Sequence, residues 1–473
     1  MIARALIALG VVLGGLALAA PAPAADGPGV QHLHYEFGPL TIKPGQNTIE
    51  FAPNTQRPPV DGWIVGFHPN LKRPDGSVPR VDVIHLHHGV WVVDGRPRWA
   101  AGEEKTSFVA PAGFGWRYRT SEMWLMNHMI HNLTPTPTKV SITYDLDFIP
   151  ADSPAAAGMQ EVDTAWVDAV GGIYPVFDAK RRGKAETFTY PNDAGAPVQG
   201  YRVPADGLLV GTGGHLHPGG LWTDLWLTRN GQTVKLFRSK AKYYEPAGAV
   251  SWDVSMKVTP SDWRVAVKAG DVLSTSGTYD TRKASWYEAM AIMPTMYAPG
   301  ATGGVDPFVT STVVPGRVTH GHLPENNNHG GGRFSGLQDP RELLTRPIAG
   351  KEVPIKNFIY GQGDMNNVGR AARPPRVRQG SALTFVNKDD ADEIWHTITA
   401  CKAPCNKTTG IAYPLADGPV DFDSGELGTD SRIATAAAGR VKWSTPKNLK
   451  PGLYTYFCRV HPFMRGAFKV KRR

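Results

Sequence analysis

Cys458, His461 and Met464 share one loop, Tyr456-Phe-Cys-Arg-Val-His-Pro-Phe-Met-Arg-Gly466, at C-x2-H-x2-M spacing. A thiolate, an imidazole and a thioether on so short a segment suit copper better than any other common metal. A second imidazole, His396, stands upstream in the strand-like run Ile394-Trp-His-Thr-Ile398. Two imidazoles and one thiolate in a plane, with a weak axial methionine, make the ligand set of a type 1 (blue) copper electron-transfer centre. The predicted ligands of this centre are therefore His396, Cys458, His461 and Met464.

Most of the remaining histidines are clustered. Ile84-His-Leu-His-His-Gly-Val-Trp91 holds His85, His87 and His88; Asn127-His-Met-Ile-His-Asn132 holds His128 and His131; Gly213-Gly-His-Leu-His-Pro-Gly-Gly220 holds His215 and His217. Residues two apart on a strand share a face, so His215 and His217 are placed to grip one ion from one strand. Neutral imidazoles favour copper or zinc. On a regular strand His85 and His87 pair more naturally than the adjacent His87 and His88, which need a bulge to face the same way. His320 and His322, with His329, fall in a Gly- and Asn-rich stretch that reads as a loop. Only two other cysteines exist, Cys401 and Cys405. Their C-x3-C spacing departs from the common zinc pattern, and a small disulfide loop is expected in an oxidising compartment.

The elements that must position these groups are strands. The chain has 473 residues, too many for one core, so more than one domain is expected. Helical periodicity is scarce, and 52 Gly and 40 Pro punctuate short runs of Val, Ile, Thr, Tyr and Trp. That pattern predicts β-sandwiches or barrels. Residues 1–25 read as a secretory signal peptide: Arg4 supplies the positive end, Leu6 to Ala20 the apolar segment, and Ala22-Pro-Ala24 the cleavage site. The expectation is an exported protein, periplasmic or extracellular, with no stable membrane span. Beyond the signal come a first β-rich block at 26–155, a second at 156–300, a Gly/Pro/Asn-rich linker at 301–352 and a third block at 353–473. The net charge of +9 is scattered rather than striped with aromatics, which argues against nucleic acid as a partner.

The third block resembles the cupredoxins, and its Cys-x-x-His-Pro-Phe-Met-Arg-Gly loop is similar to that of the amicyanins. The order of an early His-His pair, a later His, His-x-His and a Met-bearing segment resembles the copper type II, ascorbate-dependent monooxygenases. Val267-Lys-Ala-Gly-Asp-Val-Leu273 and Trp286-Tyr-Glu-Ala-Met290 follow the order of that family's second domain. The two resemblances imply an all-β chain: two tandem antiparallel β-sandwiches, then a Greek-key cupredoxin sandwich. They imply an oxygen-activating copper on His215, His217 and Met290, with Glu288 the alternative to Met290. A further copper would sit on His87, His88 and His131, across a solvent cleft, with His85 and His128 as alternatives. That makes one type 1 copper and two more. O2, a small-molecule or peptide substrate, and a redox partner or small reductant as electron donor would then be the partners. This sequence departs from the monooxygenases in having no cysteine in its first two blocks and none of the family's recognisable substrate-holding residues. A rival reading is a non-catalytic protein for copper storage or electron shuttling. Nitrite reduction or multicopper oxidation is disfavoured, because Cys458 is flanked by Phe457 and Arg459 and no histidine bridges it to a second ion.

Overall fold

The computed structural model describes residues 27–472, apart from 28, 47, 245–247, 327–336, 367–371, 393, 406–419 and 430–438. The signal segment and His329 lie outside the described residues. The described chain is all-β, with strands in antiparallel-dominated sheets and only short 3₁₀ turns between them. No helix among the described residues is long and apolar enough to cross a membrane.

The first unit has nine strands: β1 (Gln31–Ile42), β2 (Ile49–Pro53), β3 (Gly62–Lys72), β4 (Ile84–Val93), β5 (Arg96–Ala101), β6 (Phe108–Val109), β7 (Phe114–Tyr118), β8 (Trp124–Asn132) and β9 (Thr138–Pro150). One sheet runs β1-β9-β3-β7 and the other β2-β8-β4-β5. Alternation fixes what faces inward. Val140, Ile142, Tyr144, Leu146 and Phe148 of β9 all enter the core, where they meet Trp91 and Trp124 of the opposite sheet.

The second unit opposes a sheet of Asp163–Ala165, Thr295–Pro299, Gly207–Thr212 and Val265–Val267 to one built on Thr187–Tyr190, Val272–Asp280, Gly220–Arg229 and Gln232–Lys240. Leu209, Leu225, Phe237 and Leu273 fill the space between them. Leu208 and Val210, on the other face of their strand, join the core of the first unit, so the two sandwiches share apolar surface.

The third unit carries a five-stranded sheet in which Arg465–Lys471 lies between Pro375–Arg378 and Gly452–Phe457. A smaller three-stranded sheet faces it across Phe385, Ile398, Tyr456 and Phe468. Phe457 and Met365 of this unit enter a cluster with Trp252 and Trp286 of the second. The described part of 301–352 does not hang free. Arg317–Val318 pairs with Lys257–Val258, and His322 Nδ1 lies 2.7 Å from Asp253 Oδ2.

Candidate metal centres

The loop after strand Gly452–Phe457 folds back on itself, with the Met464 amide donating to the His461 carbonyl at 2.8 Å. It brings Cys458 Sγ to 3.6 Å from His461 Nδ1 and 3.8 Å from His396 Nδ1, and the two Nδ1 atoms to 3.1 Å from each other. Among the described residues, these three are the only His, Cys, Asp or Glu whose donor atoms converge within 4.8 Å. All three, and Met464, are fully buried. Each ring is oriented from behind. His396 Nε2 lies 3.0 Å from Asp389 Oδ2, and His461 Nε2 donates to the Gly45 carbonyl at 2.9 Å. Ligating histidines are held in this way, with the distal N–H on a carboxylate or carbonyl and the other nitrogen's lone pair on the metal. Burial opposes ionisation of the Cys458 thiol, but the charge of His461 and hydrogen bonds from His396 and His461 outweigh it and bring the thiol well below its ordinary range. Burial likewise opposes a charge on His396, and its bond to Asp389 reverses the balance and raises it. The thiol is thus held as the thiolate, the donor form copper takes, and a metal entering the set would displace a proton from His396 Nδ1. Cys401 and Cys405 are joined by a disulfide at the edge of the same sheet.

The histidines of the first unit lie on β4 and β8. On β4 the register against β8 slips by one residue between Leu86 and His88. Ile84 and Leu86 point into the core before the slip, Trp91 and Val93 after it. The extra residue lets His85, His87 and His88 all leave by the outer face. His131 leaves β8 on that face too, opposite His85, with ring centroids 5.2 Å apart. His128 takes the other side of β8 and packs on Phe37 at 5.6 Å.

His215 and His217 follow the end of their strand at Thr212 rather than lying on it. His215 bridges to Ile292, and the two rings stand nearly perpendicular with centroids 5.1 Å apart. The hydroxyl of Tyr279 accepts from the His217 and Met290 amides at 3.1 and 3.0 Å and donates to the Met290 carbonyl at 2.7 Å. Met290 lies just past strand Trp286–Ala289, buried. Glu288 sits at positive φ; its carbonyl accepts from His217 Nδ1 and its carboxylate from the Tyr174 hydroxyl.

These rings share a pattern. A carbonyl only accepts, so the nitrogen facing it carries the proton and the other keeps a lone pair. His85 Nδ1 donates to the Val81 carbonyl at 2.6 Å, and His131 Nε2 to the Val460 carbonyl at 2.9 Å. His88 Nε2 lies 3.1 Å from Asn127 Oδ1, and His215 Nδ1 lies 2.9 Å from Glu104 Oε1. The opposite nitrogens, His85 Nε2, His88 Nδ1, His131 Nδ1, His215 Nε2 and His217 Nε2, are buried with no hydrogen-bond partner. Orphaned buried lone pairs cost stability unless something takes them, but among the described residues no three of these nitrogens lie within 4.8 Å of one another. Burial brings His85, His88 and His128 down to about 4. Burial, then neighbouring imidazoles, hold His87, His131 and His217 well below the usual value. Neutral imidazole is the ligating state.

The predicted sets are regrouped. His87, His88 and His131 do not converge on one point: the His87 ring meets His217 of the second unit at 4.4 Å, and His88 turns toward a cavity that it shares with His215 and Met290. Rings of the two units thus touch where the monooxygenase resemblance implies a solvent cleft. His320 and His322 serve as a clasp: His320 Nε2 donates to the Glu104 carbonyl at 2.5 Å. Sequence reasoning missed Glu104, Asp389, Gly45 and Val460. It also missed Glu103, whose fully buried carboxyl is pushed well above the ordinary range by burial and the charge of Glu104. Gly102-Glu-Glu-Lys105 reads as a solvated turn, and nothing local marks it as interior.

No protein family and no curated protein matches the chain. Among solved structures it is similar to a purple cupredoxin from Nitrosopumilus maritimus, with 18% identity, 25% of this chain and 95% of that chain covered, and a TM-score of 0.16. It is also similar to a copper-containing nitrite reductase from Thermus scotoductus SA-01, with 13% identity, 57% of this chain covered and a TM-score of 0.16. The match spans 58% of the length of that enzyme.

Proposed function

We propose that the chain is an exported copper redox protein in which a cupredoxin-like electron port serves a monooxygenase-like, histidine-lined site between the first two sandwiches. One observation carries the coupling of the two: the His461 and His131 rings lie 6.5 Å apart across the boundary between the third and first units. Copper, when bound, would supply one-electron chemistry at His396, Cys458, His461 and Met464, and O2 activation at the histidines of the sandwiches. The chain's own part is placement. Asp389 and Gly45 fix the two imidazoles of the port; Val81, Asn127, Glu104 and Glu288 fix four imidazoles of the sandwich sites. His88 and His215, each with a buried nitrogen that has no hydrogen-bond partner, line a cavity, which favours catalysis over storage. Export accords with the Cys401–Cys405 disulfide.

Metal analysis with O2 uptake tests the reading. The purified chain is expected to carry more than one copper, show an intense blue absorbance, and consume O2 when given a reductant. A single copper with no O2 uptake under any electron donor means an electron carrier on a passive scaffold. A colourless protein in Cu(II) removes the electron port altogether.

A further inference from the structure

The turn Lys356-Asn-Phe-Ile359 closes as a two-residue hairpin, its end residues each giving an amide to the other's carbonyl at 3.1 Å. Asn357 and Phe358 both sit in the left-handed region, at φ 52° and 61°. A hairpin with positive φ at both central residues is met without cost by Asn-Gly. Asparagine suits its place here. Phenylalanine does not: a bulky side chain at positive φ is an outlier that its surroundings must hold.

Asp389 is what holds it. Its Oδ1 accepts from the Asn357 amide at 2.7 Å and its Oδ2 from the Phe358 amide at 3.2 Å. The same Oδ2 lies 3.0 Å from His396 Nε2. One carboxylate therefore fixes the strained turn and a predicted copper ligand together. The ring that the turn presents lies on both imidazoles of the port, with centroids 5.0 Å from His461 and 5.8 Å from His396, nearly perpendicular in each case. Phe463 stands beside it, 5.7 Å from Phe358 and 6.1 Å from His461. From the first unit Gly45 closes in, and a Cβ there would stand 2.4 Å from a Phe358 ring carbon. Phe358 and Phe463 are half-buried, whereas the two imidazoles beneath them are fully buried. On this side the two aromatic rings are the layer between the imidazoles and water.

We infer that Phe358 is a positioning residue of the port, held in a left-handed backbone so that its ring covers His396 and His461, keeps water off them and sets the reduction potential. The inference rests on the copper reading above. Backbone strain persists where the surroundings over-determine it, and it concentrates at functional sites. A dry shell disfavours the more highly charged oxidation state, Cu(II), and so raises the potential.

Phe358→Gly removes the ring and gives the turn the residue that its φ favours. In the full-length, copper-loaded protein the reduction potential is expected to fall, and copper affinity in a chelator competition to drop about tenfold. The metal-free variant is expected to melt within about 4 °C of the wild type, since relief of the left-handed φ offsets the lost apolar contact. Phe358→Leu keeps apolar bulk over the imidazoles and is expected to restore most of the potential. An unmoved potential in Phe358→Gly, a metal-free Phe358→Gly protein that melts far below the wild type, or a Phe358→Leu protein as low in potential as Phe358→Gly overturns the proposal. Each of these outcomes is read on a chain whose wild type is blue. A wild type that stays colourless in Cu(II) overturns the port itself and this proposal with it, so the two failures are distinguishable.

Discussion

The Nε2–H of His131, on β8 of the first sandwich, donates to the carbonyl of Val460, one residue before the metal-site His461, at 2.9 Å. His461 answers in the other direction, its own Nε2–H donating to the Gly45 carbonyl of the first unit at 2.9 Å. The two bonds lace the ligand loop to the scaffold. Metal geometry in the third unit is thereby set partly by residues hundreds of positions earlier. The distal edge of His461, which would face solvent on an isolated module, is buried against this chain.

That lacing makes Gly45 a remote control on the copper site. Gly45 sits at φ +63°, and a Cβ there would stand 2.6 Å from His461 Nε2 and 2.4 Å from a Phe358 ring carbon. Gly45→Ala is expected to shift the His461 ring and change the blue absorbance and reduction potential, with the metal still bound. Outer-sphere changes of this kind typically cost ~10–100-fold in metal affinity. Visible spectra of the wild type and variant under copper titration check it; superimposable spectra would mean that the Gly45 contact is incidental.

Two substitutions separate the sites. Cys458→Ser removes the thiolate and is expected to erase the intense visible band, while copper at the sandwich histidines remains. His215→Ala is expected to keep the band and lose O2 uptake. Metal content, absorbance and oxygen consumption on the two variants form the measurement. Loss of the band in His215→Ala would show that the sites are not independent.

The parts of this arrangement that were legible in the sequence are local ones. Cys458, His461 and Met464 lie within one turn of chain, so their chemistry is written in their spacing. The residue pattern alone favoured His85 with His87; the bulge that the adjacent pair His87 and His88 needs lies between Leu86 and His88, and a strand pattern, which carries only a parity, does not locate it. Glu103 and Glu104 read as a surface turn, since nothing in their neighbours betrays a second sandwich closing over them. The His131–Val460 and His461–Gly45 bonds span 329 and 416 positions, and no window of sequence encodes such a contact. The Gly- and Asn-rich composition around His320 and His322 suggested a free loop, yet His320 and His322 tie it down.

Tyr279 is the pin beneath the second-unit site. Its hydroxyl serves the His217 amide and both backbone groups of Met290, and the ring is fully buried. Tyr279→Phe keeps the ring and leaves buried backbone groups without partners, at about 1–3 kcal/mol for such a loss. Urea unfolding should show that destabilisation, and copper affinity at His215 and His217 should fall with it. A variant as stable as the wild type would mean that water replaces the hydroxyl.

Acid should unfold the metal-free protein through its buried imidazoles. His128 is neutral and packed on Phe37, and burial lowers its pKa from the ordinary 6.5 to about 4. The unfolded chain therefore binds a proton between pH 6.5 and about 4 that the folded chain refuses. Stability is full above that window and falls as pH drops through it, by ~1.4 kcal/mol per pH unit for each such group. His85 and His88, also lowered to about 4, add to the slope in the same direction. His128→Phe removes one contributor from the side of β8 that packs on Phe37, away from His131. Melting temperatures of metal-free protein between pH 7 and 5 should fall less steeply for His128→Phe than for the wild type. Parallel slopes for the variant and wild type would show that His128 is already protonated in the folded chain.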